Sequence, residues 1–291
     1  MRIIQSLSEM TETARGWLAG GTVGFVPTMG HLHAGHLTLV QAAQRESEIS
    51  VVSIFVNPLQ FDSSRDAALY PRNLSQDLQL LDDEHVDVVF VPRSEDIYPP
   101  NFSTYVTPNG PITQWLQKTH RSHYARGITT ITTKLFQLVR PDTVYYSHKN
   151  ALHVALSRQV IRDLNFDIRM RLLPVIRDND GLPLSNHPQR LSAARRRALS
   201  LLYQALLMAK GMIEKGERDV VSIEKAMEDV TTASPLLKLD FAIICDPMTF
   251  ERPGNILATP LPNTLILAAG SVGNTYMIDN ILWMSDGYWL T

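Results

Sequence analysis

Residues 27–36 read Pro-Thr-Met-Gly-His-Leu-His-Ala-Gly-His, and the fold is decided by how this stretch joins its neighbours. Before it, residues 22–26 (TVGFV) form a β-branched and aromatic run of strand type that stops at Pro27. After it, residues 36–48 (HLTLVQAAQRESE) place Leu37, Val40 and Ala43 on the spacing of one helical face. A strand that turns through glycines into a helix delivers the first helical N–H groups, which lack intrahelical partners, to the strand's carboxyl end. The helix dipole favours negative charge there, so the turn is expected to receive an anion. His33 and His36 flank Gly35, which permits close backbone approach to a phosphate, and two imidazoles can donate to phosphate oxygens as charge grows in a transition state. Gly30 and Gly35 have the separation of a nucleotide-binding P-loop, but His36-Leu37 stands where Lys-Ser/Thr is required, and that reading fails. Zinc on His31, His33 and His36 lacks a nearby carboxylate to complete a ligand set. A polar turn with incidental histidines is the remaining alternative.

Outward from this turn, strand-like and helix-like segments alternate. Residues 50–56 (SVVSIFV), 87–91 (DVVFV), 143–146 and 169–175 (RMRLLPV) read as strands, and 74–81, 128–139 and 151–164 as helices. Such alternation implies a parallel sheet covered on both faces. Phe25-Val26-Pro27, Phe55-Val56-Asn57-Pro58 and Phe90-Val91-Pro92 each close a strand on a proline, which marks carboxyl ends. Ligands of open parallel sheets lie at that edge. Past residues 178–181 (DNDG) the character changes to a long amphipathic helix over 191–215, opening on Arg195-Arg-Arg197, then a helix over 221–230 and short strands at 240–245 and 264–269. The expected division is a domain at 1–175 and a smaller α+β domain at 176–291, with no internal repeat.

The chain has 291 residues, enough for about two domains, with 44% apolar and 19% charged residues. Lys+Arg 27 against Asp+Glu 29 leaves a net charge of −2, which argues against a nucleic-acid or membrane-surface binder. A single cysteine, Cys245, excludes an intrachain disulfide framework and Cys-rich metal sites. Neither a signal-peptide core nor an apolar run of membrane-spanning length is present in these residues, so a soluble cytoplasmic protein is the expectation.

Further candidates follow the other strands. Asn57 and Gln60, in NPLQF at 57–61, are uncharged amides suited to a hydroxyl or carboxylate. Tyr70-Pro71-Arg72 and residues 95–99 (EDIYP) say little in isolation. Lys149, in SHKNALH at 147–153, could reach a phosphate as a point charge or be an exposed lysine at a helix start. Ser185 lies in a loop, DGLPLSNHP at 180–188.

Together these stretches resemble the pantothenate synthetase (pantoate–β-alanine ligase) family, within the nucleotidyltransferases that carry the HxGH signature. PTMGHLHAGH at 27–36, SIFVNPLQF at 53–61, YPR at 70–72, KLFQLVRPD at 134–142 and IDN at 278–280 carry the likeness, which spans nearly the whole chain. The resemblance implies a Rossmann-like domain for ATP and acid, and a smaller carboxyl-terminal lid. It also implies a homodimer, Mg2+ with the ATP, and small carboxylic-acid and amine substrates. The acid's carboxylate attacks the α-phosphorus of ATP, pyrophosphate leaves, and an amine converts the acyl-adenylate to an amide and AMP. By motif position, His33, His36 and Lys149 are the implied catalytic residues. Pro27, Met29, Gly35, Ser147, Asn150, Ile176, Ser185 and His187 fall on the nucleotide site, and Asn57, Gln60, Tyr70 and His153 on the substrate site.

The departures are concentrated in the same places. The family's GEKDxQQ reads SHKNALH, with Asn150 at the ribose-binding Asp and His153 at the second, pantoate-binding glutamine. The lid motif SSRN reads Ser185-Asn186-His187-Pro188, and RPGHFxGV fits residues 121–127 either with Tyr124 at its His or, with one insertion, keeping His123-Tyr124. The expectation is an acid–amine ligase whose acid, amine or both differ from pantoate and β-alanine, in which His153 could be partly cationic and favour a more anionic acid, or simply fill space. The alternatives are the ordinary ligase, a nucleotide-binding pseudoenzyme, and adenylyl transfer to a nucleotide or phosphate ester.

Overall fold

The computed structural model describes every residue except 18–19, 62, 119–121 and 185–190, and leaves the side chains of 64, 117, 118, 122 and 123 undescribed as well. The chain divides into two units. The first comprises Met1–Ser147 with Leu152–Leu173, and the second His148–Ala151 with Pro174–Thr291. The second unit thus resumes at Pro174, and the short segment around Lys149 goes with it. The reason is local: Asn280 Nδ2 donates to the Lys149 carbonyl at 3.0 Å, and the Lys149 ammonium donates to the Leu184 carbonyl.

In the first unit the strands are β1 (Arg2–Ile4), β2 (Val23–Thr28), β3 (Ile49–Ile54), β4 (Val88–Phe90), β5 (Thr143–Ser147) and β6 (Arg169–Leu173). The helices are α1 (Leu7–Trp17), α2 (Ala34–Glu46), α3 (Ser64–Leu69), α4 (Leu74–Asp83), α5 (Ser94–Ile97), α6 (Pro111–Lys118), α7 (Ser122–Val139) and α8 (Ala151–Asp163). The strands form one six-stranded sheet in the order β1-β4-β3-β2-β5-β6, every pair parallel. This is the Rossmann-like α/β architecture, with the strand order reversing beside β2, between β3 and β5. Strands buried on both faces carry near-continuous apolar runs, which is why VVSI, despite its buried Ser53, and VVF carry no alternation. Val26, Val40, Val52, Leu81 and Val89 are almost wholly buried in one cluster beneath α2 and α4.

Pro27 departs from its expected place. It lies inside β2, opposite Ser53, rather than beyond the strand's end. β5 pairs with β2 only at Gly24 and Phe25, so at Pro27 the strand has β3 alone beside it, and a missing N–H is tolerated on a one-sided strand.

The second unit contains helices α9 (Ala193–Glu214) and α10 (Val220–Thr231) and strands β7 (Lys238–Cys245), β8 (Thr264–Val272), β9 (Thr275–Met284) and β10 (Tyr288–Leu290). The four strands form an antiparallel sheet in the order β10-β9-β8-β7. Leu199, Leu202, Leu206, Ile223, Ile266 and Ile281 pack the two helices onto it. The sequence pattern does not reveal β9, which carries Asp279 and Asn280 as buried polar residues within its run.

Candidate active site

The turn after β2 is built to a fixed shape. Gly30 adopts φ +77° and His31 φ +52°, both left-handed. A Cβ on Gly30 would stand 2.8 Å from Asp77 Oδ2, so only glycine fits there without strain. Asp77, on α4 and 2% exposed, accepts from the His31 amide at 2.8 Å and from the Leu32 amide at 2.7 Å. One buried carboxylate therefore holds the two peptides that lead into His33. No pattern in the sequence marks Asp77 for this role, since the contact spans 45 residues.

His33 is the N-cap of α2. Its Nδ1 accepts from the Gly35 amide at 3.1 Å, while Nδ1 of His36 accepts from the His33 amide at 3.3 Å. This is a reciprocal capping box made by two imidazoles, whose ring centroids lie 4.1 Å apart. A neutral imidazole that accepts through Nδ1 carries its proton on Nε2. Both rings are thereby set as Nε2–H donors. The Gly35 N–H is used within the cap, donating to His33 Nδ1. The positive helix terminus acts through the ring: the amide polarises Nδ1 and the far N–H becomes the donor.

The neighbouring strand ends carry the other candidates of this unit. Pro27, near the end of β2, and Met29, on the turn after it, are half-buried. Asn57, 1% exposed after β3, has its amide committed within the protein: Oδ1 accepts from Tyr98 Oη at 2.8 Å and from the Leu59 amide at 3.3 Å, and Nδ2 donates to the Gly127 carbonyl at 3.1 Å. These bonds fasten the 3-10 turn Pro58–Gln60 to α7. A Cβ on Gly127 would overlap the Leu59 carbonyl, so glycine is what lets α7 approach. Gln60 ends that turn half-buried, and the Tyr70 ring meets Phe61 edge-on with centroids 5.7 Å apart. Because β2, β3 and β5 are adjacent and parallel, the 27–36 turn, Gln60 and Ser147 at the end of β5 all stand at one sheet edge.

His153 lies on α8, half-buried, with its ring 5.3 Å from that of Tyr146. Burial pushes its pKa down to about 4, so the ring is neutral at pH 7. Desolvation disfavours the charged ring, which weighs against the partial positive charge considered from sequence. The unfolded chain takes up this proton near pH 6.5 and the folded chain only near pH 4, so stability falls as pH drops between those values. A shift of that size is worth roughly 3 kcal/mol at most, and residual solvent access reduces it to about 2. His153→Gln should therefore flatten the fall in urea midpoint between about pH 7 and about pH 4. An unchanged pH dependence would show that the ring is protonated alike in both states.

In the second unit Lys149 is half-buried, and burial lowers its pKa to about 8 against the opposing pull of Asp279. Asn150 is exposed, and the Ile176 carbonyl accepts from the Leu184 amide at 3.0 Å. Ser185, His187 and the His123 side chain lie outside the described residues. Among the described residues no group of three or more His, Cys, Asp or Glu side chains could hold a metal, and no helix is long and apolar enough to cross a membrane.

Comparison with known proteins gives one answer. Residues 2–282 match the family described as pantoate-beta-alanine ligase. The pantothenate synthetase of Thermosipho melanesiensis is 40% identical over 283 residues, 97% of this chain and 99% of that protein. That of Heliobacterium modesticaldum is likewise 40% identical over 283 residues, with the same two coverages. Among solved structures, pantothenate synthetase from Thermus thermophilus superposes with a TM-score of 0.87 at 35% identity, covering 96% of this chain and 98% of that one. Pantoate-beta-alanine ligase from Francisella tularensis, complexed with beta-gamma ATP and beta-alanine, gives 0.74 at 26% identity, covering 99% of each chain. With the parallel sheet, the antiparallel second unit and the paired histidines already in place, the chain belongs to the pantoate–β-alanine ligase family.

Proposed function

We propose that this chain joins pantoate to β-alanine through a pantoyl-adenylate. The broader class, an AMP-forming acid–amine ligase, follows from family membership. In the first step a pantoate carboxylate oxygen bonds to the α-phosphorus of ATP and the bond to the β-phosphate bridging oxygen breaks, releasing pyrophosphate. In the second the neutral amine of β-alanine attacks the acyl carbon, AMP departs with that carboxylate oxygen, and the ammonium proton passes to solvent. No protein nucleophile is required, so the side chains align reactants and stabilise phosphate charge.

The observation that carries this reading is the interlocked imidazole pair, whose capping bonds set two Nε2–H donors at the ligand edge of the sheet. His33 and His36 would meet ATP phosphate oxygens and Lys149 would add a point charge, while Pro27, Met29, Gly35, Ser147, Asn150 and Ile176 would line the nucleotide. Ser185 and His187 enter by motif position alone. Mg2+ would arrive with the ATP, held by its phosphates, as that ion prefers. Gln60 and His153 would hold pantoate, supported by Asn57 and Tyr70. A neutral histidine offers one donor and one acceptor, as a glutamine amide does in simplest terms. Pantoate is favoured because it is the acid named for the family and its relatives, and a neutral His153 supplies no charge that would select a more anionic one. The division into an ATP/acid-binding domain at 1–175 and a lid domain at 176–291, a homodimer and a cytoplasmic location belong to the same proposal.

ATP–pyrophosphate exchange tests it. Pantoate should support exchange in the absence of amine, and addition of β-alanine should yield equimolar amide and AMP. Exchange with another acid in preference to pantoate would restore the altered-substrate reading. Absence of exchange with every acid, together with absence of ATP binding, would leave a non-catalytic protein.

A further inference from the structure

We infer that the buried Arg177–Asp279 ion pair is a positioning device that fixes Lys149 for its phosphate, an inference that rests on the function proposed above. Lys149 is held at both ends. Its carbonyl accepts from Asn280 Nδ2 at 3.0 Å, and its ammonium donates to the Leu184 carbonyl. Those two holders sit on different segments, β9 and the hairpin in which the Asp178 amide meets the Leu182 carbonyl at 2.8 Å. Arg177 ties the segments to each other. Nη1 donates to Asp279 Oδ2 at 2.6 Å and to the Gly181 carbonyl at 3.0 Å, and Nη2 donates to Asp279 Oδ1 at 2.9 Å. Asp279 Oδ1 in turn accepts from the Asn280 amide at 2.8 Å, orienting the residue that holds the lysine's backbone.

The pair is a planar fork on a carboxylate, the geometry that gives direction as well as energy. Its side chains are 9% and 2% exposed, and the guanidinium lies 3.8 Å over the Tyr203 ring. A desolvated ion pair is weak evidence for stability but a good means of specifying one arrangement. Here the arrangement specified is the relative placement of Asn280 and Leu184, the two points that hold Lys149.

The same carboxylate acts on the lysine's charge. Asp279 favours the ammonium against the burial that disfavours it. Among the described residues, Arg177 is paired with Asp279, and Arg196 on α9 with Asp178 and Asp180. His148, the chain neighbour, is 2% exposed. Lys149 serves a phosphate as its cation, so activity is lost as pH rises through its pKa. Removing the Asp279 charge lowers that pKa and moves the alkaline limb to lower pH.

The test uses the full-length protein in two assays. The first is the pH dependence of Lys149 carbamylation by cyanate, read at its peptide by mass spectrometry, which needs no activity. The second is pantoate-dependent ATP–pyrophosphate exchange. Asp279→Asn should move the carbamylation midpoint and the alkaline limb of exchange to lower pH together. It should also lower kcat by roughly tenfold to a hundredfold, the worth of one hydrogen bond to a charged group, with little change in the KM for pantoate. Asp279→Glu, which keeps the charge, should recover the midpoint in large part. Because Asp279→Asn strands the Arg177 charge, a second variant guards against misfolding. The double variant Arg177→Met with Asp279→Leu removes the pair without leaving a buried ion, and should fold yet show the same losses. If the folded variants keep the wild-type midpoint and kcat, the inference is overturned. If the midpoint shifts while even the wild-type protein shows no exchange, the positioning stands and the proposed function falls.

Discussion

His36→Ala should lower the rate of pantoate-dependent ATP–pyrophosphate exchange by about 10²–10³-fold, the usual cost of removing one preorganised donor from a site where negative charge develops. The substitution also deletes the acceptor of the His33 amide and so about 1 kcal/mol of capping. Two further variants separate these losses. An asparagine oxygen occupies the place of the imidazole Nδ1 but does not reach Nε2, so His36→Asn should fold as wild type and remain slow. A glutamine amide nitrogen reaches the Nε2 position without replacing Nδ1, so His36→Gln should lose capping stability and retain much more of the rate. Exchange rates and urea midpoints on the three proteins decide the matter. If His36→Asn proves as fast as wild type, the Nε2–H has no catalytic part and the histidine is only a cap.

That capping role shows what the sequence could and could not convey. HxGH signals two imidazoles at a helix entry, and the strand before it is legible because a doubly covered parallel strand is a near-continuous apolar run. Which ring nitrogen faces the ligand depends on backbone geometry: the extended His33, at φ −142°, places Nδ1 on the Gly35 amide. Asn57 is legible as a polar residue at a strand end, but its consumption by Tyr98, Leu59 and Gly127 requires partners up to 70 residues away. β9 was hidden by its own function. Buried Asp279 and Asn280 interrupt the apolar pattern that would have announced a strand, because that strand carries polar contacts to Arg177 and Lys149. His153 makes a related point: a histidine could carry charge, and its burial, which the sequence does not show, disfavours that charge.

Asp77 lies furthest from anything the sequence reveals, and its removal should be felt in both stability and rate. Its two oxygens each accept one amide, from His31 and from Leu32, in a place 2% exposed. Asp77→Ala leaves both amides buried without an acceptor, at about 1–3 kcal/mol each, so a loss of about 4 kcal/mol is expected in the unfolding of the first unit. Asp77→Asn should recover only part of this, because its oxygen serves one amide while its NH2 group faces the other N–H. The catalytic effect follows from position. His31 and Leu32 directly precede His33, and a displacement of about 1 Å in a reacting array costs on the order of 10²-fold. Exchange by Asp77→Asn should thus fall by that factor even where the protein remains folded, and the His36→Asn defect added to it should be less than multiplicative, because both act on the same pair of donors. Multiplicative losses would mean that Asp77 supports the domain without setting the imidazoles. Near-native stability and rate would mean that Gly30 and the reciprocal histidine cap hold the turn unaided.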